Sequence, residues 1–120
     1  MRNLEQIRAK NAFAWRNKIR EAKGCGKPHA VVKKVPTQII QNGFLGALAF
    51  AIENNGTGYE DVFNAILDHL LSSGMNQGIV CDNLQEFVDE LSSKCDGDSL
   101  RAITAESLAF LNFLRRFVQK

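Results

Sequence analysis

The chain has 120 residues, 45% hydrophobic and 23% charged, the composition of one ordinary globular domain spanning residues 1–120, which excludes a disordered tail, a collagenous rod and a low-complexity linker. A chain of this size buries roughly two-thirds of its unfolded surface, so it needs neither a disulfide nor a metal to fold. The net charge is only +2, but it is unevenly spread: +8 over residues 1–34, −9 over 35–98 and +3 over 99–120, so one surface can approach a polyanion and another a basic neighbour.

The first helix is expected over residues 3–22, with an imperfect apolar stripe of Leu4, Ile7, Ala12, Trp15 and Ile19. Gly24-Cys25-Gly26-Lys27-Pro28 is expected to stop it. Ala30-Val31-Val32 is the one candidate strand. A second helix is expected to start at Pro36, where the missing N–H costs nothing, and to end near Asn54. It is apolar nearly all round, which predicts a central helix buried on most sides. Gly43, Gly46, Ala47 and Ala51 give it a narrow strip for close approach of another helix.

The third helix is the cleanest: Tyr59, Val62, Phe63, Ile66, Leu67, Leu70 and Leu71 follow helical spacing without a miss, and Gly74 ends it. His69 stands at the margin of that stripe, a boundary position. A fourth helix holds Leu84, Phe87, Val88 and Leu91 behind an Asp82 or Asn83 cap. The last helix is expected to begin at Thr104, with one short turn before it from Asp98. The fold predicted is an all-α bundle of about five helices. No apolar run approaches the ~20 residues that span a bilayer, and the N-terminus has no signal-like apolar segment, so no membrane role and a cytoplasmic location are expected.

Few residues carry chemistry. Cys25, Cys81 and Cys95 lack metal-site spacing and read as reduced thiols. Gly24-Cys25-Gly26-Lys27 fails as a phosphate loop: Glu21 stands where the first glycine belongs, Pro28 where a Ser or Thr belongs. His29 and His69 are the only histidines, and no nucleophile–base or paired-carboxylate spacing stands out, so no catalysis, metal, cofactor or small-molecule substrate is expected. The basic residues say more. Arg8, Arg16, Lys18 and Arg20 lie on the first helix, Lys27, Lys33 and Lys34 lead into the second, and Arg115 and Arg116 end the last. They form either a phosphate-contacting face or a solvated one.

The run Lys33-Lys34-Val35-Pro36-Thr37-Gln38-Ile39-Ile40-Gln41-Asn42-Gly43-Phe44-Leu45-Gly46-Ala47-Leu48-Ala49-Phe50 resembles the small all-helical subunit of the Cmr complex, the type III-B CRISPR effector. Glu106 to Phe117, ending Leu114-Arg115-Arg116-Phe117, resembles the last helix of that family, and the basic, alanine-containing first helix fits as well. Phe44 stands where leucine is usual and Phe113 where tryptophan is common. The resemblance implies a non-catalytic structural subunit in antiviral defence. Such subunits stack with neighbouring copies beside backbone RAMP proteins and line the groove where guide RNA pairs with target RNA. It makes Lys33, Lys34, Gln38 and Asn42 candidates for an RNA- or subunit-facing surface, with Arg8, Arg16, Arg115 and Arg116 added by their charge. The reading from residues alone also leaves open a helical adaptor that binds only protein.

Overall fold

The structure is a computed structural model that describes residues 3–21, 28–54 and 57–118. It holds five helices and, among the described residues, no strand: α1 (Leu4–Arg20), α2 (Pro28–Glu53), α3 (Tyr59–Ser73), α4 (Leu84–Ser93) and α5 (Gly97–Val118). The expected all-α class is what forms. Each helix start has a local cause. Asn3 caps α1 through a reciprocal box, its side chain accepting from the Gln6 amide while Gln6 accepts from the Asn3 amide. Asn83 accepts from the Glu86 amide at the head of α4. Gly74, at φ 79°, closes α3 in the left-handed conformation that glycine adopts without strain.

Three expectations are corrected. First, α2 begins at Pro28 rather than Pro36, so Ala30-Val31-Val32 is helical and Pro36 lies inside the helix. A proline there cannot donate to the Val32 carbonyl, but its fixed φ is helical and the turns on either side continue. Second, α2 is broken at Gly43, where φ is 80° and ψ 161°. The small-residue strip therefore divides: Ala47 and Ala51 are buried, while Gly43 and Gly46 are exposed and nothing lies within 4 Å of a Cβ built at Gly43. Gly43 serves a backbone conformation, not close packing. Nor is α2 buried on most sides, since Ile40 is 73% and Phe50 41% exposed. The stretch 30–53 is long and apolar enough by composition to cross a membrane, yet it is interrupted at Gly43 and gives Val32, Val35, Ile39, Phe44 and Leu48 to the core. Third, α5 starts at Gly97, not Thr104. Asp96 accepts from the Ser99 amide at its head, and the Thr104 hydroxyl donates to the Leu100 carbonyl within the helix.

The buried side chains form one cluster to which every helix contributes. Phe44 of α2 meets Phe63 of α3 and Phe87 of α4 edge to face, at 5.7 and 5.8 Å between centroids. α1 packs chiefly against α5 and α3. The expected helix stop at residues 24–27 and Cys25 lie outside the described residues, as do the side chains of Pro28 and His29.

Candidate nucleic-acid interface and a buried polar network

A groove of about 410 Å³ runs between α2 and α5. From α2 it is lined by Lys33, Pro36, Thr37 and Ile40, and from α5 by Leu108, Leu111, Asn112 and Arg115. Both rows follow i, i+3, i+4, i+7, so each helix offers one straight ridge. The groove thus joins Lys33 to Arg115, two of the residues singled out for charge and resemblance. Lys34 is exposed on the next strip of α2, with Gln38 and Asn42 following it at four-residue steps. Gln38 is half-buried, and its Oε1 accepts no hydrogen bond among the described residues. Asn42 is exposed beside the Gly43 break. Arg116 is exposed and lines a smaller depression with Asn112 and Phe113. Among the described residues, none of Lys33, Lys34, Arg115 and Arg116 makes an ion pair.

The α1 cations are placed differently. Arg8 grips Glu106 of α5 through two nitrogens of its guanidinium: Nε to Oε2 at 2.8 Å and a terminal nitrogen to Oε1 at 2.7 Å. Arg16 lies 3.9 Å above the Phe13 ring. Arg20 donates to the Phe117 and Val118 carbonyls, where the end of α5 leaves acceptors unpaired within the helix.

Behind Arg8 lies a network that sequence reasoning missed. His69, at a boundary by expectation, is fully buried and stacks on Phe110 at 4.4 Å. Its Nε2 is 2.8 Å from Glu106 Oε2, and Asn11 Nδ2 is 2.8 Å from its Nδ1. One neutral tautomer satisfies both contacts: Nε2–H donates to the carboxylate while Nδ1 accepts from the Asn11 amide. Burial lowers the His69 pKa despite the nearby carboxylate. Burial pushes Glu106 upward, but hydrogen bonds from Arg8 and His69 outweigh it and hold the carboxyl below its usual value. A His–carboxylate pair suggests a catalytic dyad, yet His69 has no exposed surface and both ring nitrogens are engaged. It fastens α1, α3 and α5 together. Among the described residues, no group of three or more His, Cys, Asp or Glu could hold a metal ion. Cys81 is buried and Cys95 half-buried, both as free thiols.

The described residues thus form a small all-helical domain with a groove that joins Lys33 to Arg115 and a buried histidine that ties three helices together. The sequence model of the family described as CRISPR-associated protein (Cas_Cmr5) matches residues 4–120, nearly the whole chain. The chain therefore belongs to that family, as a small subunit of the type III-B (Cmr) CRISPR complex, and it associates with other components of that complex. No curated protein and no solved structure matches it.

Proposed function

We propose that the chain is a non-catalytic structural subunit of the cytoplasmic Cmr effector in antiviral defence, and that its α2/α5 groove contacts the phosphates of guide or target RNA. One observation carries this reading: Lys33 and Arg115, distant in sequence, line the same groove, with Lys34 and Arg116 exposed beside them. A polyanion is the partner that such a set attracts, and phosphate contacts require no base recognition because guide pairing supplies the sequence. Backbone RAMP proteins and neighbouring copies of the chain are the expected protein partners. Exposed Ile40, on the same ridge, favours a second reading in which a protein segment fills the groove.

The test is target-RNA retention against salt in reconstituted complexes. Lys33→Ala with Lys34→Ala should lower the magnitude of the salt slope by ~0.7–0.9 for each phosphate no longer neutralised, regardless of RNA sequence, while assembly persists. The Asp89→Ala with Glu90→Ala control should leave the slope unchanged. A double-lysine variant that matches the parent at every salt concentration gives the groove to protein. RNA cut by the purified chain would end the non-catalytic reading.

A further inference from the structure

We infer that a second groove, between α1, α3 and the segment ahead of α4, is a docking site for a protein segment that presents an arginine or lysine. This groove has a volume of about 370 Å³, and its working residues are Trp15, Leu67, Leu71, Asn64, Asp68 and Asp82. That is within the ~300–1,000 Å³ range of ligand clefts. It shares no residue with the α2/α5 groove, so it stands or falls apart from the RNA reading.

The chemistry of the lining selects the guest. Trp15 and Leu71 supply apolar wall, and Leu71 is 37% exposed, high for a leucine on the stripe of a core helix. Asp68 and Asp82 supply negative charge, and among the described residues neither forms an ion pair. A long cationic side chain matches both: its methylene stem lies along apolar surface while its head meets carboxylate, and a guanidinium also stacks on an indole. The chain already shows this affinity. Lys18, outside the groove lining, holds its ammonium 4.6 Å from the centre of the Trp15 ring.

Charge decides between protein and nucleic acid. Residues 59–83, which carry both aspartates, contain no lysine or arginine, and the nearby cation, Lys18, lies on the Trp15 ring. An RNA backbone approaching Asp68 and Asp82 would meet like charge, whereas a basic protein segment meets opposite charge. The site is also preformed. The Trp15 indole N–H donates to Asp68 Oδ2 at 2.8 Å, fixing the ring as a wall. The Asp82 amide donates to Glu86 at 2.9 Å, and Asn76 donates to the Ile79 carbonyl, anchoring the turn before it. A guest therefore pays little for ordering its host.

Trp15 is the only tryptophan in the chain, so its indole N–H gives a single resonance that reports this groove. The experiment titrates the full-length, ¹⁵N-labelled chain with an acetylated, amidated hexapeptide carrying one arginine among leucine and glycine. The indole signal should shift and saturate. Binding should weaken ~fivefold or more when citrulline replaces arginine, and likewise in Asp68→Asn with Asp82→Asn. The Asp68→Asn substitution keeps a side-chain oxygen for the indole hydrogen bond, and a thermal melt checks that the double variant remains folded. Lys33→Ala with Lys34→Ala should titrate like the parent. A shift that never saturates, a citrulline peptide or double-asparagine variant that binds as well, or loss of binding in the lysine variant would each overturn the inference.

Discussion

Two sets of cations in this molecule look alike in sequence and differ in place. Arg8, Arg16 and Arg20 on α1 turn onto a carboxylate, a ring and helix-end carbonyls of the chain itself. Lys33, Lys34, Arg115 and Arg116 gather on or beside one groove and make no ion pair among the described residues. A count of basic residues treats the two sets equally. What separates them is position on the helix. Arg8, Ala12, Trp15 and Ile19 follow i, i+4, i+7, i+11, so Arg8 sits on the stripe that α1 turns toward the bundle. A cation on a buried stripe implies a buried anion, and Arg8 finds one in Glu106.

The comparison is sharpened most by removing the anion. Glu106→Ala leaves Arg8 and buried His69 without their shared partner and should cost about 3–5 kcal/mol of stability in urea unfolding. A loss under about 1 kcal/mol would mean that the network does not hold α1. Next is the helix that carries the open set. Gly43→Ala and Gly43→Leu should each cost about 1–3 kcal/mol, and by similar amounts, because the φ of 80° penalises any side chain while space for one exists. A leucine variant much worse than the alanine variant would return Gly43 to a packing role.

Acid comes third. His69 has a folded pKa below 6.5, so its contribution is complete above pH 6.5 and is lost as pH falls toward the folded value. Glu106 has a folded pKa below 4.5, so its contribution is present above pH 4.5 and is lost as pH falls through its folded value. Both losses run the same way. Stability should fall from pH 6.5 downward, by up to about 1.4 kcal/mol per pH unit for each proton taken up. Equal urea midpoints at pH 7.5 and pH 5 would contradict this. The smallest effect belongs to the open set: Lys33→Ala with Lys34→Ala should leave stability within about 0.5 kcal/mol, because neither side chain is buried.

Much of the fold is legible in the sequence. The bounds of α3 and its glycine stop follow from helical spacing and cap chemistry, which also narrow the α4 cap to Asp82 or Asn83, and the structure selects Asn83. The starts of α2 and α5 do not. Pro36 and Thr104 are both good helix-start residues, and neighbours decide otherwise: Pro28 offers the same advantage earlier, and Asp96 caps first while the Thr104 hydroxyl bonds back to Leu100. Of the site, the resemblance and the charge pattern name Lys33 and Arg115, but only the packing of α2 on α5 unites them. The polar network joins residues 37, 58 and 98 positions apart, beyond any local pattern. A signal did exist. His69 is three residues after Ile66, and Glu106 is three after Ile103 and four before Phe110, so both stand on buried stripes. Two polar residues that share a core are expected to find each other.

The grip of Arg8 on a residue 98 positions later also sets a timetable. While the chain is being made, α1 emerges first but its anchor is not yet synthesised. At ~5–20 residues per second, the first helix waits roughly 5–20 s for its carboxylate. Through that interval α1 can meet α3 but not α5, the helix it packs against most, so the buried side of α1, with Ala12 and Ile19, stays partly uncovered and open to a holding chaperone.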